Sequence, residues 1–403
     1  MILNFSVTNY RIFRNRTTLS MEATKDRRLR ENAFDVPGGR GAALKLSAVY
    51  GANASGKTTV FQALNLFIRF IRDSPSHTKD SVLNYLPFAF ADAKEPTSFE
   101  CEFVTKGVRY TYGFSYDRDA VREEHLYSYP NSRRTVVSER DGDSYTFRTD
   151  VRFRKENARR VGSKSLYVSV CAQFNDRECM NVFEWATKEV TVMIDYDRLH
   201  SLDVLTSLMK SDKEFNTLAV RSFGIADLGI TNVRDKGKDT VPSKDGTIVL
   251  PVQDIWVRHR YNGVDRELPV ALESAGTVRF LSVIGPVIDA LRKGTTIVVD
   301  EIDMSFHTDL CRWITGLFLD PSENRSNAQL ILNTHDVSLL DQSVLRRDQV
   351  YFSIKDGKSG EGELRRLSDY GVRNDLDIRK AYLNGSFGAR PFIAPDKLME
   401  NEE

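Results

Sequence analysis

The chain has 403 residues, 41% of them hydrophobic and 28% charged, enough to bury a full core and to form two domains or one large domain with an insertion. Its 57 basic and 56 acidic side chains leave a formal net charge of +1, which excludes a global attraction to nucleic acid or anionic membrane; any such contact needs a local patch. No run of about 18 apolar residues and no signal-peptide pattern is present, and Cys101, Cys171, Cys179 and Cys311 form no CxxC pair. Reduced thiols, no membrane span and a cytoplasmic location are therefore expected.

Residues 1–20 alternate apolar and polar, as a strand or hairpin does, and the charged KDRRLRENAF that follows reads as a loop. LKLSAVY (44–50) is a buried strand that stops at Gly51. From Thr58, Val60, Leu64, Phe67 and Ile71 recur at helical spacing, and the helix should end before the DSPS turn at 73–76. Residues 97–150 read as a β-meander, with TSFECEFV, VRYTYGFSY and SYTFRTDVRF as aromatic strands separated by KG, DRD and DGD turns. The pattern is helical from about 175 to 225, with a break near SDKE. Residues 230–262 are Gly-, Lys- and Asp-rich with strand-like runs TIVLPV and IWVRHRY. From 271, helix VRFLSVIGPVIDALRK, strand TTIVVD, a helix, strand QLILN and strand QVYFSI alternate, which implies a parallel, helix-covered sheet. The expected division is 1–150 and 263–403 as two halves of one α/β head, with 151–262 as an insertion or second lobe. No internal repeat, low-complexity tract or long heptad run interrupts this pattern.

Gly51-Ala52-Asn53-Ala54-Ser55-Gly56-Lys57-Thr58 fits G-x-x-x-x-G-K-[ST] between an apolar strand and an amphipathic helix, the context that a phosphate-binding loop demands. Glycines let successive backbone N–H groups point inward at phosphate oxygens, and the helix N-terminus adds partial positive charge there. Gly51, Asn53, Ser55, Gly56, Lys57, Thr58 and Thr59 are the candidate cradle, with Lys57 on the β- and γ-phosphates and the Thr58 hydroxyl on Mg²⁺. Strand TTIVVD ends in Asp300-Glu301. A parallel strand delivers its C-terminal residues to the ligand crevice, so Asp300 is the second Mg²⁺ ligand and Glu301 the residue that polarises water. QLILN leads into Thr334-His335, placing His335 at the same sheet edge as a γ-phosphate sensor.

Ser274 and Gly276 open the helix before the acid strand. They read either as an ordinary helix cap or as a second anion cradle that closes over the γ-phosphate of another copy. Arg152, Arg154, Lys155, Arg159, Arg160 and Lys164 cluster around Phe153. This patch over 152–164 reads as a nucleic-acid contact, a docking face for a protein, or a solvated helix face. No Asn-Lys-x-Asp element for reading guanine occurs.

In this order the P-loop, degenerate signature, strand-DE and strand-TH resemble ABC-type ATPases of the SMC/RecF/OLD group. VTNYRIFRN resembles that group's N-terminal hairpin, which implies that Arg11 faces the nucleotide, and the spelling G-x-N-x-S-G-K-T is typical of it. The meander at 103–115 and the tail RRDQVYFSIKDG…LSDY…AYLNGSFGARPF are similar to the short AAA-type ATPases of prokaryotic anti-phage loci. The resemblance implies an α/β P-loop NTPase fold of ABC-ATPase type, with a mostly parallel helix-covered sheet, an antiparallel β-meander and an inserted, mainly helical lobe. It implies ATP and Mg²⁺, a homodimer or higher homo-oligomer through the ATP sites, and a separate effector such as a nuclease. A RecF-like DNA clamp is the alternative. Ala275 and Thr277 depart from the signature of transporters, no Q-loop glutamine stands between Gln62 and Gln173, Asp303 matches a D-loop position loosely, and His307 reads as structural. The long coiled-coil arms of SMC proteins are not expected.

Overall fold

The computed structural model describes residues 1–37, 41–92, 94–194, 198–226, 228–236, 254–371 and 376–390. The chain opens with the antiparallel hairpin β1 (Ile2–Thr8) and β2 (Thr17–Ser20), as the alternation requires. The charged loop contains β3 (Ala33–Asp35), which pairs with β4 (Ala42–Leu44). β5 (Leu46–Gly51) runs into the P-loop and helix α1 (Lys57–Asp73). The meander follows as β6 (Thr97–Thr105), β7 (Val108–Tyr116), β8 (Val121–Tyr129), β9 (Thr135–Asp141) and β10 (Ser144–Thr146). Helices α2 (Val151–Ala158), α3 (Tyr167–Ala172) and α4 (Arg177–Glu184) lead to β11 (Val190–Met193). Helices α5 (Arg198–Ser211) and α6 (Lys213–Ile225) precede a three-stranded sheet of β12 (Ile230–Asp235), β13 (Ile255–Tyr261) and β14 (Val264–Pro269). The final run is α7 (Ala275–Lys293), β15 (Thr296–Val299), α8 (Thr308–Leu319), β16 (Gln329–Asn333), β17 (Val350–Lys355), β18 (Gly362–Arg366) and α9 (Ile378–Leu383).

Two large sheets result. The central one has the order β11-β15-β16-β5-β17-β18, parallel except for β18. The meander sheet has the order β10-β9-β8-β7-β6-β1-β2 and is antiparallel throughout. Alternate residues of the central strands enter different cores, as the two-residue strand period dictates. Val49, Val298, Ile331 and Tyr351 join α1 and the meander, whereas Ala48, Tyr50, Ile297, Val299, Leu330 and Phe352 join α5–α8. Buried amides tie the two sheets together. Gln329 on β16 accepts from Ile2 N at 2.7 Å and donates to the carbonyls of Ile2 and Leu44 at 3.0 and 3.1 Å.

Two expectations need correction. SYTFRTDVRF is not one strand: β10 stops at Thr146, and Val151–Arg154 open α2 because Arg154 turns inward to a buried ion pair with Asp176 at 2.7 Å. The segment expected to be an insertion supplies β11, the edge strand of the central sheet, paired in parallel with β15. Its helices α3 and α4 belong to the meander core, where Glu124 of β8 accepts from the N-terminal amides of α3, Tyr167 N at 2.6 Å and Val168 N at 3.0 Å. The strand-like run TIVLPV lies outside the described residues.

Candidate functional site

The site lies at the C-terminal ends of β5, β15 and β16, where a parallel sheet presents its loops. At Gly51 a side chain is sterically excluded, since a Cβ would stand 2.5 Å from the Ser353 carbonyl oxygen on β17. Gly56, at φ 107°, caps α1 without a side-chain bond, and a Cβ there would meet Ile12 Cδ1 at 2.3 Å. The hairpin turn carrying Arg11 and Ile12 is thus seated against the P-loop. The first-turn amides of α1 receive no cap from their own N-cap side chain, which suits them to an anion.

Lys57 is buried and its Nζ donates to the carbonyls of Gly51 and Ala52, both at 2.9 Å. Burial lowers the Lys57 pKa, and the carboxylates of Glu301, Asp300 and Asp303 oppose that shift. Thr58 Oγ1 donates to Asp300 Oδ1 at 3.1 Å, so the two expected Mg²⁺ ligands are neighbours. Magnesium takes few protein oxygens and completes its shell with phosphate and water, so this pair fits it. Among the described residues no cluster of three or more His, Cys, Asp or Glu could hold a metal. Ser55 Oγ is buried in the cradle without a hydrogen-bond partner, as a donor awaiting a phosphate oxygen would be. Asn53 is exposed and Thr59 is buried in the first turn of α1.

The acid pair is held by two residues that sequence reasoning did not single out. Asn333, the last residue of β16, donates to Asp300 Oδ1 and accepts from Glu301 N at 2.5 Å. Arg279, five residues beyond Ser274 on α7, donates to the carbonyl oxygens of Asp300 at 3.0 Å and Glu301 at 2.8 Å. Arg279 is 3% exposed, and burial brings its pKa down to about 10. Glu301 sits in the left-handed region at φ 47°, a strained conformation for a non-glycine that these bonds hold in place. The sequence signal for Arg279 was a cation inside the apolar stripe of VRFLSVIG; for Asn333 it was an amide where the strand meets the Thr-His pair.

His335 lies at the rim, exposed, with its N–H donating to Asp303 Oδ2 at 3.1 Å. Partial desolvation and then the Lys57 ammonium hold its imidazole below the ordinary histidine value, so it is neutral at pH 7. Asp303, in the acid loop after β15, therefore holds the turn at His335 after β16. Ser274 caps α7, accepting from Thr277 N at 3.1 Å, and it faces solvent. Gly276 leans on the acid loop, where a Cβ would meet the Ser305 carbonyl oxygen at 2.9 Å. The exposed Arg11 is brought to the P-loop side by its turn, with its guanidinium 5.9 Å from the Tyr10 ring. His307 caps α8, accepting from Asp309 N at 3.2 Å, which is the structural role expected of it. The basic patch is smaller than expected, because Arg154 is buried and paired rather than presented to a partner.

A P-loop, an acid pair at the end of a parallel strand of the same sheet and a His beyond the strand between them define a P-loop NTPase. Residues 46–341 match the family model described as "AAA domain, putative AbiEii toxin, Type IV TA system", and the chain belongs to that family of nucleotide-hydrolysing proteins. No curated protein matches the chain. Among solved structures the chain is similar to the SMC head domain from Thermotoga maritima, at 13% identity and a TM-score of 0.42, covering 91% of this chain and 98% of that one. Among the described residues no helix is long and apolar enough to cross a membrane.

Proposed function

We propose that the chain binds ATP with Mg²⁺ and hydrolyses it between two copies of itself, acting as the sensor and switch subunit of an anti-phage defence complex whose output passes to a separate effector, a nuclease. The observation that carries the catalytic part is the contact of Thr58 with Asp300, in a loop clamped by Asn333 and Arg279. Thr58 and Asp300 would hold Mg²⁺, which when bound offsets phosphate charge. Lys57 leaves its loop carbonyls for the β- and γ-phosphates, Ser55 donates to a phosphate oxygen, and Glu301 orients water for in-line attack. His335, neutral at pH 7, hydrogen-bonds the γ-phosphate. The exposed Ser274 turn supports the second-copy reading, because its own acid loop is packed behind it and its open side faces away from the molecule. The family's description as a putative toxin of a toxin–antitoxin system supports the defence setting.

Lys57→Ala is expected to abolish ATP binding, whereas Glu301→Gln keeps binding and yields an ATP-dependent dimer in size-exclusion chromatography. Wild-type turnover in both variants would defeat the scheme. A second reading, an ATP-gated DNA clamp, draws on the cavity of about 380 Å³ ringed by Lys79, Arg160 and Lys164, where Arg160 stacks 4.4 Å over Phe174. ATP-gated retention of gapped DNA in a gel shift, with no partner protein added, would favour it.

A further inference from the structure

The cavity of about 380 Å³ lies where the turn after α1 meets the loop between α2 and α3. Lys79, Arg160 and Lys164 line it, and among its lining residues there is no carboxylate. Cations that share a cavity without a counter-charge repel one another, and an anion between them relieves the repulsion. Lys79 and Arg160 stand exposed, and Arg160 is steadied by the Phe174 ring, its guanidinium 4.4 Å from the ring centre. Lys164 is held in place by the Ser81 carbonyl, to which its Nζ donates at 2.7 Å, and an ammonium has two further hydrogens to give.

The backbone adds donors to these charges. Arg140, a buried residue of β9, gathers the carbonyls of the loop on one side. Its guanidinium donates to Ser165 O at 2.7 Å and to Gly162 O and Ser163 O, both at 3.5 Å, and Ser163 O also accepts from Val121 N at 2.8 Å. In a trans peptide the N–H points opposite to the C=O, so the N–H groups of Ser163 and Lys164 are turned away from Arg140. Neither meets a protein acceptor among the described residues. Ser163 and Lys164 both line the cavity, and their two N–H groups are thereby offered to it, as in an anion-binding nest. His77 Nδ1 donates to Lys164 O at 3.0 Å and pins the same loop from the side of α1.

We infer that this cavity binds the phosphate of a small phosphate monoester, at a site separate from the P-loop. A monoester brings three acceptor oxygens and nearly two negative charges, which three cations and two amides can meet. A phosphodiester inside a strand brings two free oxygens and one charge, and leaves part of that set unused. The volume is at the small end of ligand sites and suits a phosphate with one sugar-sized group attached. α1 runs 17 residues, about 25 Å, from the P-loop to this turn, so a ligand of that size cannot reach both. The inference does not rest on the ATP-switch reading, because none of these groups belongs to the cradle.

The test is calorimetry on the full chain with three probes: ribose 5-phosphate, ribose, and an oligothymidylate with hydroxyl ends. Ribose 5-phosphate binds and ribose does not. Lys79→Gln and Arg160→Gln each weaken ribose 5-phosphate about tenfold, the effect of one lost charge-assisted bond. Both side chains stand exposed, so neither variant disturbs a core. Lys57→Ala leaves the affinity unchanged. No binding by the wild type, or equal affinity in the wild type and both cavity variants, overturns the site. Loss in Lys57→Ala alone would put the phosphate in the P-loop and overturn it equally. Oligothymidylate that binds more tightly than ribose 5-phosphate, and is weakened by the same two substitutions, would overturn the monoester and give the cavity to a nucleic-acid strand.

Discussion

Asp300 and Glu301 are adjacent in sequence, yet each is held by groups far from it along the chain, and those bonds fix where the water-activating carboxylate can stand. Asn333 reaches both members of the pair from β16, and Arg279 takes both of their carbonyl oxygens from α7. Arg279 acts on the main chain of the acid pair, through the carbonyl oxygens of Asp300 and Glu301, so it is a positioning residue. Replacing it by Met should free the left-handed turn at Glu301 and move the carboxylate. A displacement of the order of 1 Å costs a rate of about 100-fold. The expected result for Arg279→Met is therefore a fall of that size in kcat with little change in KM, and partial recovery in Arg279→Lys, which keeps a cationic donor. Steady-state kinetics decide this. A rise in KM matching the rate loss would make Arg279 a binding residue instead.

Among the elements, β11 has the least obvious origin. It is four residues long, follows a π-helical turn at Trp185–Glu189 and forms the edge of the sheet beside the acid strand. Trp185 is fully buried and its ring stacks on Phe103 with centroids 3.7 Å apart. This contact anchors the turn to the meander and so sets where β11 enters the sheet. Trp185→Ala is expected to cost about 3–5 kcal/mol, read as a lower midpoint in urea unfolding. Because β11 pairs with β15 and Asp300 N donates to Met193 O at 3.0 Å, the same variant should also slow turnover. Normal turnover in a folded but destabilised protein would show that the acid strand does not need its edge neighbour.

Across the whole molecule, the N-terminal segment and the end of the chain are joined by buried polar groups rather than by apolar packing alone. Arg346 and Asp348 form an ion pair at 2.7 Å, 2% and 0% exposed at the side chain, and Asp348 also accepts from Thr24 N and Thr24 Oγ1, both at 2.7 Å. Burial alone would raise the Asp348 pKa; the Arg346 guanidinium and the Thr24 donors outweigh it and hold the carboxyl below the usual range. A carboxylate depressed in the folded state binds fewer protons there than when unfolded. Its stabilisation is therefore complete above the unfolded value, about 3.9, and is lost as pH falls through the lower folded value. Asp348→Asn leaves Arg346 with a buried, unmatched charge, and a loss of about 3–5 kcal/mol at neutral pH is expected. Thermal melts of both proteins from pH 7 to pH 3 check this, since the gap between them should shrink at the acid end. A constant gap would place the effect in packing rather than in charge.

The sequence by itself determined what depends on neighbours along the chain: the alternation of β1 and β2, the strand–loop–helix register around Lys57, the acid pair at the end of an apolar strand, and the Ser274 helix start. Each is a local pattern whose period or turn chemistry needs no distant residue. It did not separate α2 from a strand, because the inward turn of Arg154 depends on Asp176. Nor did it place β11 in the central sheet, since a four-residue apolar run acquires its partner only when β15 lies beside it. Only the tertiary structure brought Asn333 and Arg279 to the acid pair, because a hydrogen bond is a property of two segments meeting, and one segment read alone carries no record of the other.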